Sequence, residues 1–129
     1  MIRRRADTAE PAGASAVRPA GPGLGKVAED AALAYLTGQG LRLETRNYSC
    51  KGGEIDLIMR DNGVLVFVEV RQRTGASHGD AAASITPAKQ RRLTIAAQTY
   101  LLRLKTLPPC RFDAVTFDGT KLSWLQNIL

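Results

Sequence analysis

Residues 52 to 73, GGEIDLIMRDNGVLVFVEVRQR, place an Asn62-Gly63 pair between two apolar runs, and no other stretch restricts the chain so tightly. Asn-Gly suits a two-residue type I′ turn, which needs positive φ at both positions and twists in the sense of the strands it joins. A hairpin is therefore expected here, with Asp61 opposite Val64 and, further along, Asp56 opposite Glu69. Side chains repeat every two residues along a strand. The same register thus puts Glu54, Asp56, Glu69 and Arg71 on one face, with Glu54 across from Arg71. A three-residue Asp61-Asn62-Gly63 loop would instead turn Glu69 to the face away from Asp56.

Directly opposed side chains have Cβ atoms about 5 Å apart, and two like charges at that spacing repel by roughly 3 kcal/mol at an effective dielectric of about 20. That is a large share of a marginal stability. A proton shared by the pair, a neighbouring cation such as Arg71, or a bound divalent metal would each offset it. Metal suits the geometry best. Mg²⁺ (or Mn²⁺) takes oxygen ligands, commonly one or two carboxylates with water and phosphate oxygens, so an opposed Asp56 and Glu69 make a half-cage. In the plainer arrangement the hairpin is amphipathic, both carboxylates face water, and Glu54 and Arg71 are a surface pair. Against that, Ile58, Leu65 and Phe67 share the carboxylate face while Val64, Val66, Val68 and Val70 fill the other, so both faces look covered. A charge held between covered faces points to function.

The remaining chain supplies one domain around this hairpin. At 129 residues and 44% hydrophobic, it is long enough for one core and short for two. Residues 1–24 are rich in Ala, Pro, Gly and Arg with few large apolar side chains, and read as a flexible basic tail before a domain over 25–129. Inside the tail, GPGLGK (21–26) is similar to a phosphate-cradling loop. No strand precedes it, and Ala20 and Val27 stand where such a loop needs Gly and Ser or Thr. Lys26 to Thr37 form a helix ended by Gly38 and Gly40, with Glu29, Ala32, Leu33 and Leu36 along one stripe, so that Glu29 leans toward the core. LRLETRNYS (41–49) alternates as a strand, and TGASHGDAAAS (74–84) reads as a loop. Thr86 caps a second helix with Pro87 at its first position, and Leu93, Ala96, Ala97, Tyr100 and Leu104 make its apolar stripe. RFDAVTF and KLSWLQ, joined by DGT, form a second hairpin. The order is α-β-β-β-α-β-β, an α/β fold. The strands on either side of the second helix should be parallel neighbours in a mixed sheet with flanking helices.

A formal charge of +6 favours an anionic partner, nucleic acid first. Cys50 and Cys110 are far apart with no C-x-x-C, and His78 is the single histidine, so neither a disulfide framework nor a Cys/His zinc site is supported. The reduced cytoplasm fits. The longest apolar run, Val64 to Val68, is far below a membrane span, and no apolar segment follows the N-terminal basic residues, so no membrane association is expected.

AEDAALAYL, GGEIDLIMR, VFVEVRQR, AAASITPAKQRRL and RFDAVTF follow in the order of the YraN family of small bacterial proteins, and the chain ends in the similar WLQNIL. Over residues 25–129 the chain resembles that family, which belongs to the PD-(D/E)xK superfamily with restriction endonucleases and archaeal Holliday junction resolvases. The resemblance implies a restriction endonuclease-like core. It also implies metal ligation by Asp56, Glu69, Glu29 and the Val70 carbonyl, and catalytic roles for Asp56, Glu69 and Arg71. Glu69-Val70-Arg71 departs from the superfamily's E-x-K. An Arg remains protonated at any working pH, so Arg71 can clamp a phosphate or stabilise developing charge but cannot be a general base.

Lys89 and Gln90 lie in the first turn of the second helix, where backbone N–H groups and the helix dipole favour phosphate, although KQRR would equally form a solvated helix face. Some nucleases of the superfamily carry a Gln on this helix. Lys89, Gln90 and Arg73 are the candidate nucleic-acid contacts. His78 has no nucleophile or acid at useful spacing and reads as a loop residue. Asp113 reads as structural, Asp118 as a turn former and Trp124 as core. The leading expectation is a Mg²⁺-dependent phosphodiesterase on branched, nicked or single-stranded DNA, with DNA favoured over RNA. Its rivals are a non-catalytic nucleic-acid-binding accessory protein and, more weakly, a protein-interaction module whose basic tail meets an acidic partner.

Overall fold

A computed structural model describes residues 23–73 and 85–129, except for the side chains of Gly23, Leu24 and Arg73. Residues 1–22 of the expected 1–24 tail, which include Gly21 and Pro22 of the glycine-rich stretch, the 74–84 loop with His78, and the Arg73 side chain lie outside the described residues, while residues 23 and 24 belong to the first helix. The elements run α1 (Gly23–Gly38), β1 (Arg42–Cys50), β2 (Gly53–Asp61), β3 (Val64–Arg73), α2 (Pro87–Leu101), β4 (Cys110–Asp118) and β5 (Lys121–Leu125). This is the expected α-β-β-β-α-β-β order, with α1 starting three residues earlier than the Lys26 expected from the sequence. The five strands form one mixed sheet in the order β1-β2-β3-β4-β5, in which only the β3–β4 pair is parallel. This arrangement is consistent with a restriction endonuclease-like core. Among the described residues no helix is long and apolar enough to cross a membrane.

The turn chemistry sets the register. Asn62 and Gly63 both take positive φ, Asp61 pairs with Val64, and the ladder continues through Arg60/Leu65, Met59/Val66 and Ile58/Phe67 to Leu57/Val68. The two-residue turn is thus the one formed. Alternation along the strands then divides the core into two layers. Ala28, Ala32, Tyr35 and Leu36 of α1 pack with Leu57, Met59, Val66, Val68 and Val115 on one face. Leu93, Ala96, Ala97 and Tyr100 of α2 pack with Ile58, Leu65, Phe67 and Ala114 on the other. Trp124 packs on the α1 side, edge-on to Tyr35, as the sequence suggests. Thr86 caps α2 by accepting from the Lys89 N–H at 3.2 Å, and Pro87 opens the helix.

Gly53 makes the contact that seats α2. A Cβ on it would lie 2.3 Å from the Arg92 carbonyl oxygen and 3.0 Å from the Ala96 nitrogen, so only glycine lets the helix backbone come this close to β2. At the other end of the sheet Asp113 is fully buried. It accepts from Arg111 Nε, Trp124 Nε1 and the Asn127 N–H at 2.9 to 3.0 Å, and Arg111 also reaches Asp61 at 3.1 Å. Every charge there has a partner, which makes Asp113 structural.

Candidate metal centre

The regular pairing of β2 with β3 stops at Asp56. Beyond Leu57/Val68 the β2–β3 ladder ends, and the Asp56 carboxylate accepts the Val70 N–H at 2.8 Å, a side chain standing in for the next backbone acceptor. β1 changes at the same level. Pairing with β2 skips from Arg46/Leu57 to Tyr48/Ile55, and Asn47, which would face Asp56, has φ of 54°. β2 twists here as well, because Ile55 joins the α2-side core with Ile58, whereas strict alternation would place it with Leu57 and Met59. The twist brings the Asp56 carboxyl to the divide between the two layers, where groups from both can reach it.

Glu69, buried at 7% exposure, approaches from the α2 side, within hydrogen-bonding reach of Asp56. Burial raises the Asp56 pKa most, the Glu69 charge adds to it, and the Val70 N–H opposes them; the net position is about 7. The repulsion anticipated from the register is therefore present, and a proton held near neutrality relieves it. Glu29 comes from α1. It is tied to Arg46 at 3.5 Å, and Arg46 makes a shorter bond of 2.8 Å to Asp30. Burial and then the Asp56 charge raise the Glu29 pKa, while Arg46 and Asn47 act the other way. Glu29 thus faces inward and senses the pair. Among the described residues no three His, Cys, Asp or Glu side chains gather as a metal-ligating group, so the pair, and not the expected triad, is what the backbone assembles.

Lys89 reaches from α2 to the Glu69 carboxylate at 3.4 Å. Gln90 faces its own loop, donating to the Ile85 carbonyl at 3.1 Å. Arg71 follows Glu69 by two residues on the same face, and its Nε is buried with no hydrogen-bond partner among the described residues. Glu54 does not meet Arg71, because the ladder has ended; it is exposed and pairs with Arg92 on α2 at 3.4 Å. Sequence reasoning missed three members: Arg46, Asn47, and the contact of Lys89 with Glu69. The first two lie in an alternating strand where nothing marks them. The third depends on how closely α2 approaches the sheet, and the only hint of that was Gly53.

The pair fits a divalent cation to this extent: two oxygen donors converge, burial and the neighbouring charge together raise the pKa of one of them, and Mg²⁺ commonly uses one or two carboxylates and completes its shell with water.

The model of an uncharacterised protein family, UPF0102, matches residues 28–117, which include both carboxylates, Arg71, Lys89, the first three strands in full and all of β4 but its last residue. The chain belongs to the UPF0102 family. Among its UPF0102 relatives, a protein of Cupriavidus taiwanensis is 58% identical over 114 residues, covering 88% of this chain and 87% of its own. One of Cupriavidus metallidurans is 61% identical over 104 residues, 80% of this chain and 78% of its own. One of Herminiimonas arsenicoxydans is 55% identical over 106 residues, covering 82% and 86%.

Proposed function

We propose that this UPF0102 chain is a nucleic-acid-binding protein of the PD-(D/E)xK type and a Mg²⁺-dependent phosphodiesterase on DNA of nicked, branched or single-stranded character. The observation that carries the reading is the Asp56–Glu69 pair, two carboxylates pressed together where the β2–β3 ladder opens, at a cost that a cation would remove. Asp56 and Glu69 would hold the ion, with Glu29 nearby. When bound, a divalent ion supplies Lewis-acid polarisation of a phosphoryl oxygen and activation of a water.

The chain's own residues do the rest. The Val70 N–H fixes the Asp56 carboxylate. Lys89 steadies Glu69 and places a positive charge beside the pair. Arg71, always protonated, offers guanidinium donors to the scissile phosphate and stabilises charge building on it. The test is cleavage: purified full chain with Mg²⁺ or Mn²⁺ should cut at least one member of a panel of structured DNAs, and Asp56→Ala should not. Failure to cut any, or equal cutting by Asp56→Ala, overturns the reading.

A second reading, a non-catalytic nucleic-acid-binding accessory protein, is favoured by Arg71 standing where the superfamily carries lysine. Under it, calorimetric titration with Mg²⁺ shows no saturable binding, and DNA affinity survives Asp56→Ala or rises.

A further inference from the structure

The sheet carries a second polar row next to the carboxylates. Arg71 of β3 is paired in register with Thr116 of β4, and Thr116 with Ser123 of β5. All three stand on the α2 face. Phe67 precedes Arg71 on that face while Val70 packs on the other; Ala114 and Leu125 belong to the α2-side core, and Val115, Phe117, Leu122 and Trp124 to the α1 side. The β3–β4 register runs unbroken from Leu65/Cys110 to Arg73/Asp118, so no bulge turns any of them over. Neighbouring strands lie about 4.8 Å apart, which makes the row a strip about 10 Å long.

Polar groups on an otherwise apolar sheet face cost stability unless they are bonded. The Arg71 Nε–H is buried and unpartnered among the described residues, and the nearby carboxylates already have cations: Glu69 has Lys89 and Glu54 has Arg92. An unpaired guanidinium N–H of this kind is matched by an anionic oxygen, which makes a stronger bond than a neutral acceptor. Thr116 is buried at 3% exposure and forms the floor, while Ser123 is half-buried at the rim. α2 lies chiefly across β2, away from this strip.

We infer that Arg71, Thr116 and Ser123 form one phosphate seat, so that the phosphodiester held by Arg71 also receives hydroxyl contacts from β4 and β5. The nucleic-acid strand then crosses the β4–β5 half of the sheet. Naming nucleic acid as the source of the phosphate rests on the function proposed above; the anion seat does not.

The test follows the Arg71 Nε–H and the Thr116 and Ser123 amide signals by ¹⁵N NMR of the full chain. One titration uses inorganic phosphate and a second a short single-stranded DNA, each repeated with Ser123→Ala, Thr116→Val and, as an off-site charge control, Lys105→Gln. Saturable shifts of all three signals are expected, with affinity weakened about tenfold or more by Ser123→Ala, as loss of one hydrogen bond to an anion implies, and unchanged by Lys105→Gln. Shifts with phosphate but none with DNA support the seat and overturn nucleic acid as the ligand. DNA binding that leaves the Arg71 Nε–H unmoved and ignores Ser123→Ala overturns the seat and leaves the proposed function standing. If Thr116→Val fails to fold, the Ser123→Ala arm and the Nε–H signal decide alone.

Discussion

Replacing Asp56 by Asn should stabilise the protein, and the gain should depend on pH in a way that only a crowded carboxylate pair produces. Asn retains an oxygen that can accept the Val70 N–H and removes the charge that burial and Glu69 oppose. A pKa raised in the folded state means that the folded chain binds the proton more tightly than the unfolded chain. Stability therefore falls as pH rises from the unfolded value of 3.8 to about 7, and the full cost is present above that. At about 1.4 kcal/mol per pH unit the displacement is worth roughly 4 kcal/mol, and because the pair shares its proton we expect about 2 to 4 kcal/mol. Urea unfolding of wild type and Asp56→Asn at pH 4, 6 and 8.5 measures it: near-coincident midpoints at pH 4, with the variant progressively more stable above. Millimolar Mg²⁺ should then narrow the gap at pH 8.5 by stabilising wild type alone. A variant less stable at pH 8.5, or a difference independent of pH, would refute the argument.

Three other outcomes follow from contacts already described. Gly53→Ala should destabilise by at least about 2 kcal/mol in denaturant unfolding, since its Cβ meets helix backbone and not a flexible side chain. Asp113→Ala should cost about 3 to 5 kcal/mol, because it leaves the Arg111 Nε–H, the Trp124 indole N–H and the Asn127 N–H without their acceptor, and differential scanning calorimetry would show it as a large loss in Tm. Burial, then a 2.6 Å hydrogen bond to Glu44, push the Tyr100 hydroxyl up to about 12, so ultraviolet titration of Glu44→Gln should bring it back toward the ordinary tyrosine value of 10.

The hairpin was legible in the sequence because Asn62-Gly63 is a local instruction, and a two-residue strand period carries it outward without error as far as Leu57/Val68. Beyond that rung the period alone misleads. It places Glu54 opposite Arg71, whereas the twist at Asp56 and the left-handed Asn47 end the ladder and leave Glu54 to Arg92. The Asp56–Glu69 encounter survives because it sits at the first position past the regular ladder. Glu29 was readable as inward-facing from its stripe on α1, but its tie to Arg46 was not, since a long side chain leaving an edge strand has no sequence period. Lys89 was recognised as a first-turn cation; that it would end on Glu69 depends on a helix–sheet distance, a tertiary quantity that the spacing of residues in α2 does not contain.

Gly53 also acts as a gauge for the site, although it touches none of the acidic groups. Relieving a 2.3 Å approach to the 3.4 Å of ordinary contact means lifting α2 by about an ångström at Arg92. Lys89 is one helical turn away on the same rod, and its 3.4 Å contact with Glu69 is already at the long end of hydrogen-bond range, so the same lift weakens it unless the side chain extends to follow. The missing methyl group thus works as a spacer of zero thickness: it sets how closely the positive charge stands to the carboxylates, and the chain can detune its own electrostatics there without altering a charged residue.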